Sequence, residues 1–485
     1  MSAAIQQLKP QALWKHFCAL NAVPRASKKE ARVIAFVEQC AQSMNLSHQT
    51  DAVGNVIIRK PATPGMEHLQ TVVLQSHLDM VHQKNADTTF DFDTEGIRMY
   101  IDGDWVKAQG TTLGADNGIG VAAILALLES TDIPHPALEA LFTIDEETGM
   151  TGALALEAGQ LTGNILLNLD TEEDHELTIG CAGGIDVSAQ GSYDVVDAKH
   201  SQGMLLQIRG LQGGHSGMDI HRGRGNANKL MNRLLLQLVQ EWEIEIAEVD
   251  GGGLRNAIPR ESRALINIPS EHLARIEHRL NEYQNVLHDE YRVTDPNIEL
   301  VFSQTPVNSQ VMQPARCLQV LHAIYACPNG IYRMSPSIEG LVQSSNNVAR
   351  VLIQQGSWSV QCLTRSSVNS EKLDVKEAIA AAFHLIGAEL QTGGDYPGWA
   401  PRPDAPIVQI MSQLYEELFQ DKAHVNACHA GLECGILGRN YPEMQMISFG
   451  PTITGAHSPD ERVKISSVQK FWHYLTETLK RIPAR

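Results

Sequence analysis

From Ile5 to Met44 apolar residues return at helical spacing, and Pro24 divides the run into two helices. The character changes at Asn55. NVIIR, TVVLQ, LEALFTI, NILLNL and MQMISFG are short apolar runs rich in β-formers, and each predicts a strand. Between several of them, GVAAILALLES and MTGALALEAG carry the pattern of helices. Strands alternating with helices predict an α/β fold, a central mixed sheet flanked by helices on both faces.

The middle of the chain reads differently. LLQIR, RALINI, IELVF and WSVQCLTR predict strands, set among long amphipathic stretches such as NANKLMNRLLLQLVQEW, SEHLARIEHRLNEYQNVL and VKEAIAAAFHLIGAEL. An α+β domain inserted into the α/β domain accounts for this. The expected division is 1–186 with 397–485 for the discontinuous α/β domain and 187–396 for the insertion. The stretch from Gly393 to Pro406, rich in Gly and Pro, serves as the returning linker. At 485 residues, two cores are expected on size alone.

Charge narrows the functional classes. Lys and Arg number 38 against 56 Asp and Glu, a net charge of -18, which repels phosphate backbones and anionic lipid. No nucleic-acid or membrane partner is expected. The first residues lack the apolar core of a signal peptide, and the longest apolar run, Val121 to Leu128, is far too short to span a bilayer. A cytoplasmic protein is the expectation. The eight cysteines contain no C-x-x-C pair, so neither a zinc ribbon nor a disulfide framework is indicated.

Candidate chemistry clusters at the ends of predicted strands. His77 and Asp79 close TVVLQSHLDMV. Asp116 lies in a glycine-flanked loop just before a helix, Glu146 and Glu147 follow LEALFTI, Asp170 follows NILLNL, and His457 follows MQMISFG. Each alone fits a cap or a turn, and H-x-D triplets are common by chance. Together they matter, because ligands of an open α/β sheet collect at the carboxyl ends of its strands. Several carboxylates in one crevice call for cations, since each desolvated charge costs several kcal/mol unpaired. Two histidines with carboxylates and no thiolate suit Zn²⁺, Co²⁺ or Mn²⁺. A single bridging carboxylate would hold two such ions about 3.5–4 Å apart.

SHLDM, GTTLGADNGIG, DEETGM, NLDTEE, GGHSG, RNAIPR, GLECG and GPTITGAHSPDE together resemble, over essentially the whole chain, the co-catalytic zinc peptidase family of aminoacylases, glutamate-releasing carboxypeptidases and dipeptidases. The resemblance implies two divalent metal ions per chain, zinc first, with Mn²⁺ and Co²⁺ as alternatives. His77 and Asp170 would hold one ion with a bridging Asp116, and Glu147 and His457 would complete the other. Asp79 would orient His77. Glu146 would be the general base that deprotonates the attacking water and reprotonates the leaving amine. His215 of the insertion would stabilise the oxyanion, supplied in family dimers by the partner's insertion. Asn256 and Arg365 would bind substrate, Arg365 at a terminal carboxylate.

The implied activity is hydrolysis of Xaa-His and other small dipeptides, β-alanyl-histidine among them, by a homodimer whose large insertion acts as a lid. The alternative within the family is an N-acyl amino-acid deacylase or carboxypeptidase. Asp170, where those enzymes tend to carry Glu, favours the dipeptidase branch. A non-catalytic binding protein would be marked by loss of Glu146 or a ligand, and all are present. No G-x-S-x-G or catalytic cysteine context supports a serine or cysteine hydrolase.

Overall fold

The computed structural model describes residues 2–485. The described residues divide into two compact units, one of 2–180, 401–427 and 432–485, the other of 181–400 with 428–431. The sequence boundaries of 186 and 397 lie a few residues inside the second unit. The four residues 428–431, which belong to it by contact, carry no compositional signal.

The first unit is built on an eight-stranded mixed sheet in the order Ser47–Thr50, Val56–Lys60, Leu138–Thr143, Val72–His77, Ile165–Asn168, Gln445–Ser448, Glu176–Cys181, His424–Cys428. The four central strands run parallel, with His77 level with Thr143, and Asn168 paired to both Gln75 and Ser448. Leu138–Thr143 and Val72–His77 are buried along their whole length, which is why their apolar residues fall on both faces instead of alternating, with Glu139, Thr143, Gln75, Ser76 and His77 as the buried polar exceptions. The parallel register also brings the chain segments after these strands to one edge of the sheet.

Helix Ala115–Glu129 packs against the sheet and against helix Gln11–Asn21, and nearly every residue of it is buried. A helix apolar on all faces belongs inside a core. Its close approach depends on glycine: a Cβ at Gly120 would lie 2.4 Å from Ser76 Oγ and 2.7 Å from the Leu169 carbonyl. This contact delivers the helix start, with Asp116, to the strand ends carrying His77 and Asp170. The MTGALALEAG stretch is less helical than expected: only Thr151–Ala155 is a helix, ended where Leu156 turns extended.

The second unit centres on an antiparallel sheet in the order Glu299–Thr305, Gln202–Arg209, Ser262–Ile268, Glu245–Gly252, Val342–Gln354, Ser357–Ser366, Gly183–Ser192, Glu389–Tyr396, with Gly330–Met334 also paired to Val342–Gln354. Helices Ala227–Trp242, Leu273–Tyr291, Pro314–Ala326 and Asn369–His384 contribute Leu234, Leu235, Leu280, Ile324 and Phe383 to its core, where they join Ile266 and Trp358 from the strands. This is an α+β arrangement. The Gly393–Pro406 linker begins later than expected. Its first residues extend a strand that pairs with Gly183–Ser192 through a bulge between Gly393 and Tyr396, because two glycines there still leave the backbone free to make ladder bonds.

Candidate active site

Local backbone geometry aims each functional side chain. Strand Val72–His77 ends on His77, which is 1% exposed. Gly114, at φ +69°, turns the chain into the helix that starts at Ala115, and Asp116 keeps non-helical angles at that start. Glu146–Gly149 forms a single helical turn bracketed by Asp145 and Met150, both left-handed at φ 51°. His457 also holds a left-handed φ, 62°. Such conformations in non-glycine residues cost on the order of 1 kcal/mol or more and gather at functional sites.

The carboxylate of Asp116 faces both ways. Its Oδ1 lies 3.3 Å from His77 Nε2 and its Oδ2 lies 3.2 Å from His457 Nε2. On the first side, Asp170 Oδ1 stands 3.4 Å from the same His77 nitrogen, and on the second, Glu147 Oε2 stands 2.9 Å from His457 Nε2. Potential ligand atoms of His77, Asp116 and Asp170 therefore lie within 4.8 Å of one another, as do those of Asp116, Glu147 and His457, and those of His77, Glu146 and Glu147. All five residues expected as metal ligands, together with Glu146, are brought to one place.

This donor set fits divalent cations. Glu147 Oε1 is buried without a hydrogen-bond partner, an orphan acceptor that a cation would satisfy. The local potential is strongly negative: hydrogen bonds from His457 to Asp116 and Glu147 push its pKa up to about 11. Burial opposes protonation of His77, yet Asp170, Asp116 and Asp79 raise its pKa well above the ordinary value. Burial, with Asp116 and Asp170 nearby, raises Glu172 to about 8. A pocket that favours a proton this strongly favours a metal ion by the same electrostatics.

Asp79 does more than the sequence indicates. Its Oδ1 is 3.4 Å from His77 Nδ1, whose hydrogen bond goes to the Asp79 carbonyl at 3.2 Å. The Asp79 carboxylate also accepts the backbone N–H of Glu146 at 3.0 Å and of Glu147 at 3.2 Å, and the Ser27 hydroxyl at 2.7 Å. One buried carboxylate thus holds both the histidine ring and the turn carrying the two glutamates. Burial, and then His77, Asp170, Glu433 and Glu147, act on Glu146; His77 alone opposes, and the net pKa lies well above that of a free carboxyl.

Three supporting residues escape a sequence reading. Glu461 accepts the backbone N–H groups of Leu113, Gly114, Ala115 and Asp116 at 2.7, 2.9, 2.8 and 3.2 Å, fixing the loop that bears Asp116. Arg25, fully buried, donates to the carbonyls of Leu78 and Asp79 at 3.0 Å each and to Asn21 Oδ1 at 3.1 Å. Glu433 accepts from Gln75 at 2.6 Å and Thr143 at 2.7 Å beneath the strand ends, and its Oε1 has no partner. An acidic residue inside the apolar GLECGIL stretch is the one signal that could have found Glu433.

The second unit holds His215, Asn256 and Arg365. Gly213 and Gly214 take φ values of +64° and +136°, and a Cβ on Gly214 would lie 2.6 Å from Asp219 Oδ2, so the turn requires glycine there. His215 Nδ1 accepts from the N–H of Gly217 at 3.2 Å and Met218 at 3.0 Å, which leaves the neutral ring's proton on Nε2. That Nε2 stands 3.4 Å from Arg365 Nη2. Two donors facing each other call for an anion. Burial and then Arg365 bring the His215 pKa down to about 4, so the ring is neutral at pH 7.

Arg365, 5% exposed, also reaches Ser216 Oγ at 3.4 Å and the Tyr396 hydroxyl at 3.0 Å. His429, which the sequence reading missed, bonds Ser345 Oγ at 2.7 Å and is brought down to about 3 by burial, then by Arg365, His215 and His221. The Asn256 side chain is exposed. Its carbonyl accepts the Ser216 N–H at 2.8 Å, tying RNAIPR to the GGHSG turn.

Residues 73–481 match the family described as Peptidase family M20/M25/M40. The chain is 42% identical to the cytosol non-specific dipeptidase of Escherichia coli (strain K12) over 483 residues, 99% of both chains. It is 44% identical to the aminoacylhistidine dipeptidase of Vibrio alginolyticus in its crystal structure, with a TM-score of 0.94 and coverage of 99% of this chain and 98% of that one. The aminopeptidase PepT of Bacillus cereus, at 14% identity and a TM-score of 0.57 over 98% and 99% of the chains, shares the fold. The chain belongs to the peptidase family M20/M25/M40.

Proposed function

We propose that this protein is a cytoplasmic, two-metal dipeptidase that cleaves Xaa-His and other small dipeptides, β-alanyl-histidine included. The observation that carries the reading is the Asp116 carboxylate, one oxygen toward His77 and Asp170 and the other toward His457 and Glu147. His77, Asp116 and Asp170 would hold one ion, and Asp116, Glu147 and His457 the other, zinc being the first candidate. When bound, the ions polarise the scissile carbonyl and raise the acidity of water at the site.

The chain's own residues do the rest. Glu146, held by the backbone bond from its N–H to Asp79, accepts a proton from the attacking water. Its raised proton affinity then suits it to return that proton to the amine as the C–N bond breaks. Asp79 fixes the His77 ring and the Glu146 turn together. The paired donors of His215 and Arg365 are assigned to anionic oxygens of the substrate, the oxyanion and the terminal carboxylate, and Asn256 to substrate contact beside them. The location is supported by the name of the Escherichia coli relative. A homodimer is the assembly we assign.

The test is elemental analysis of active protein combined with a substrate panel. Two ions per chain and preferential cleavage of Xaa-His dipeptides are expected; hydrolysis of N-acetyl amino acids alone would overturn the assignment. Light scattering that returns the mass of one chain would overturn the dimer.

A further inference from the structure

A second cluster of metal-ligating side chains lies on the edge of the first unit's sheet and shares no residue with the active site. His175, Glu176 and His424 each offer a ligand atom, and these atoms all lie within 4.8 Å of one another. The backbone pins them together: His424 donates its N–H to the His175 carbonyl at 2.8 Å, at the point where strands Glu176–Cys181 and His424–Cys428 begin. The two imidazoles lie nearly parallel, 9° apart in plane with centroids 6.3 Å from each other. Glu176 Oε1 is 3.4 Å from His424 Nδ1, and Glu173 Oε2 is 3.9 Å from His175 Nδ1.

We propose that His175, His424 and Glu176, with Glu173 as a fourth donor, form a peripheral site for a divalent transition metal, Zn²⁺ in the first instance. Two nitrogen donors with one or two carboxylates select Zn²⁺, Co²⁺, Ni²⁺ or Cu²⁺ over Ca²⁺ and Mg²⁺, which prefer all-oxygen sites. Tetrahedral zinc takes nitrogen and oxygen ligands at about 2.0–2.2 Å, closer together than these atoms now stand. The adjustment falls on side chains able to make it, since His175 is 51% and His424 64% exposed. The backbone bond that sets their spacing needs no change. A bound ion would clip the sheet's edge strand at its first residue, where fraying otherwise begins.

The test uses the metal-loaded enzyme. Equilibrium dialysis against Zn²⁺ followed by elemental analysis should show one ion per chain beyond the active-site complement, and the H175A/H424A variant should lack that ion while hydrolysing dipeptide at the wild-type rate. In the unmodified protein, Zn²⁺ should protect His175 and His424 from acylation by diethyl pyrocarbonate, read by peptide mass spectrometry, while Mg²⁺ should not. Equal zinc content in the wild type and the double variant, or acylation of both histidines unaffected by Zn²⁺, would overturn the proposal and leave the pair as stacked surface rings.

Discussion

Replacing Glu461 should damage the active site without touching any metal ligand. Its two carboxylate oxygens each serve two backbone donors, Oε2 those of Leu113 and Gly114, and Oε1 those of Ala115 and Asp116. All four bonds are charge-assisted, and an orphaned buried donor costs roughly 1–3 kcal/mol. Burial works against the bare carboxylate, raising its pKa to about 6. Glu461→Ala strips four donors; admitting some water into the gap, the net loss should be about 3–5 kcal/mol. Glu461→Gln keeps one acceptor oxygen and turns an amide NH₂ toward the other two donors, for a loss of about 2–3 kcal/mol.

Urea unfolding followed by circular dichroism reads both losses. With a slope of about 2–3 kcal/mol/M, the alanine variant should unfold about 1–2 M urea earlier than the wild type, and the glutamine variant should fall between them. Because the loop also carries Asp116, metal content should fall in the same order. An unshifted midpoint with full metal content in Glu461→Ala would refute the claim that this carboxylate builds the loop.

Other outcomes follow from the same geometry. Glu146→Gln should lower kcat by about 10²–10⁴-fold with bound metal unchanged; unchanged turnover in single-substrate assays would contradict its role. Dialysis against a chelator should abolish hydrolysis, with recovery on adding Zn²⁺, Mn²⁺ or Co²⁺, and activity that survives complete metal removal would be incompatible with the mechanism. Arg365→Lys keeps the charge but loses the planar fork that spans Ser216 and Tyr396, so KM for a dipeptide should rise about tenfold or more with a smaller change in kcat; an unchanged KM would remove Arg365 from substrate binding. His429 has a folded pKa near 3 against about 6.5 unfolded, so between those values the unfolded chain binds a proton that the folded chain does not, and stability falls as pH falls. His429→Gln should flatten that slope by up to about 1.4 kcal/mol per pH unit between pH 6 and 4, measured as urea midpoints; an identical slope would show that His429 titrates freely.

Much of this site was legible because its residues sit at junctions that sequence marks clearly. His77, Glu146, Glu147 and Asp170 follow buried strands and Asp116 precedes a buried helix, and apolar-rich runs such as TVVLQ and LEALF mark those elements; His457 lies farther off, nine residues beyond Gln445–Ser448. The supporting residues were not legible, for a physical reason. Glu461 acts through backbone amides nearly 350 positions away, and Arg25 through carbonyls of the His77 loop. Main-chain acceptors and donors leave no trace in side-chain pattern. Strand Val342–Gln354 was missed because its first half, VQSSNN, is polar yet buried: Ser344 bonds Ser366 on the strand opposite, Ser345 bonds His429, and Asn346 and Asn347 donate to the carbonyls of Pro328 and Ala257. His429 falls on a four-residue excursion into the second unit that no periodicity could reveal.

The bridging role of Asp116 is open to direct observation by anomalous diffraction from crystals of metal-loaded protein, collected at the absorption edge of zinc. The account predicts two strong peaks about 3.5–4 Å apart, one on each side of the Asp116 carboxylate, the first shared with His77 and Asp170 and the second with Glu147 and His457. A single peak, or peaks that leave Asp116 uncoordinated, would contradict it.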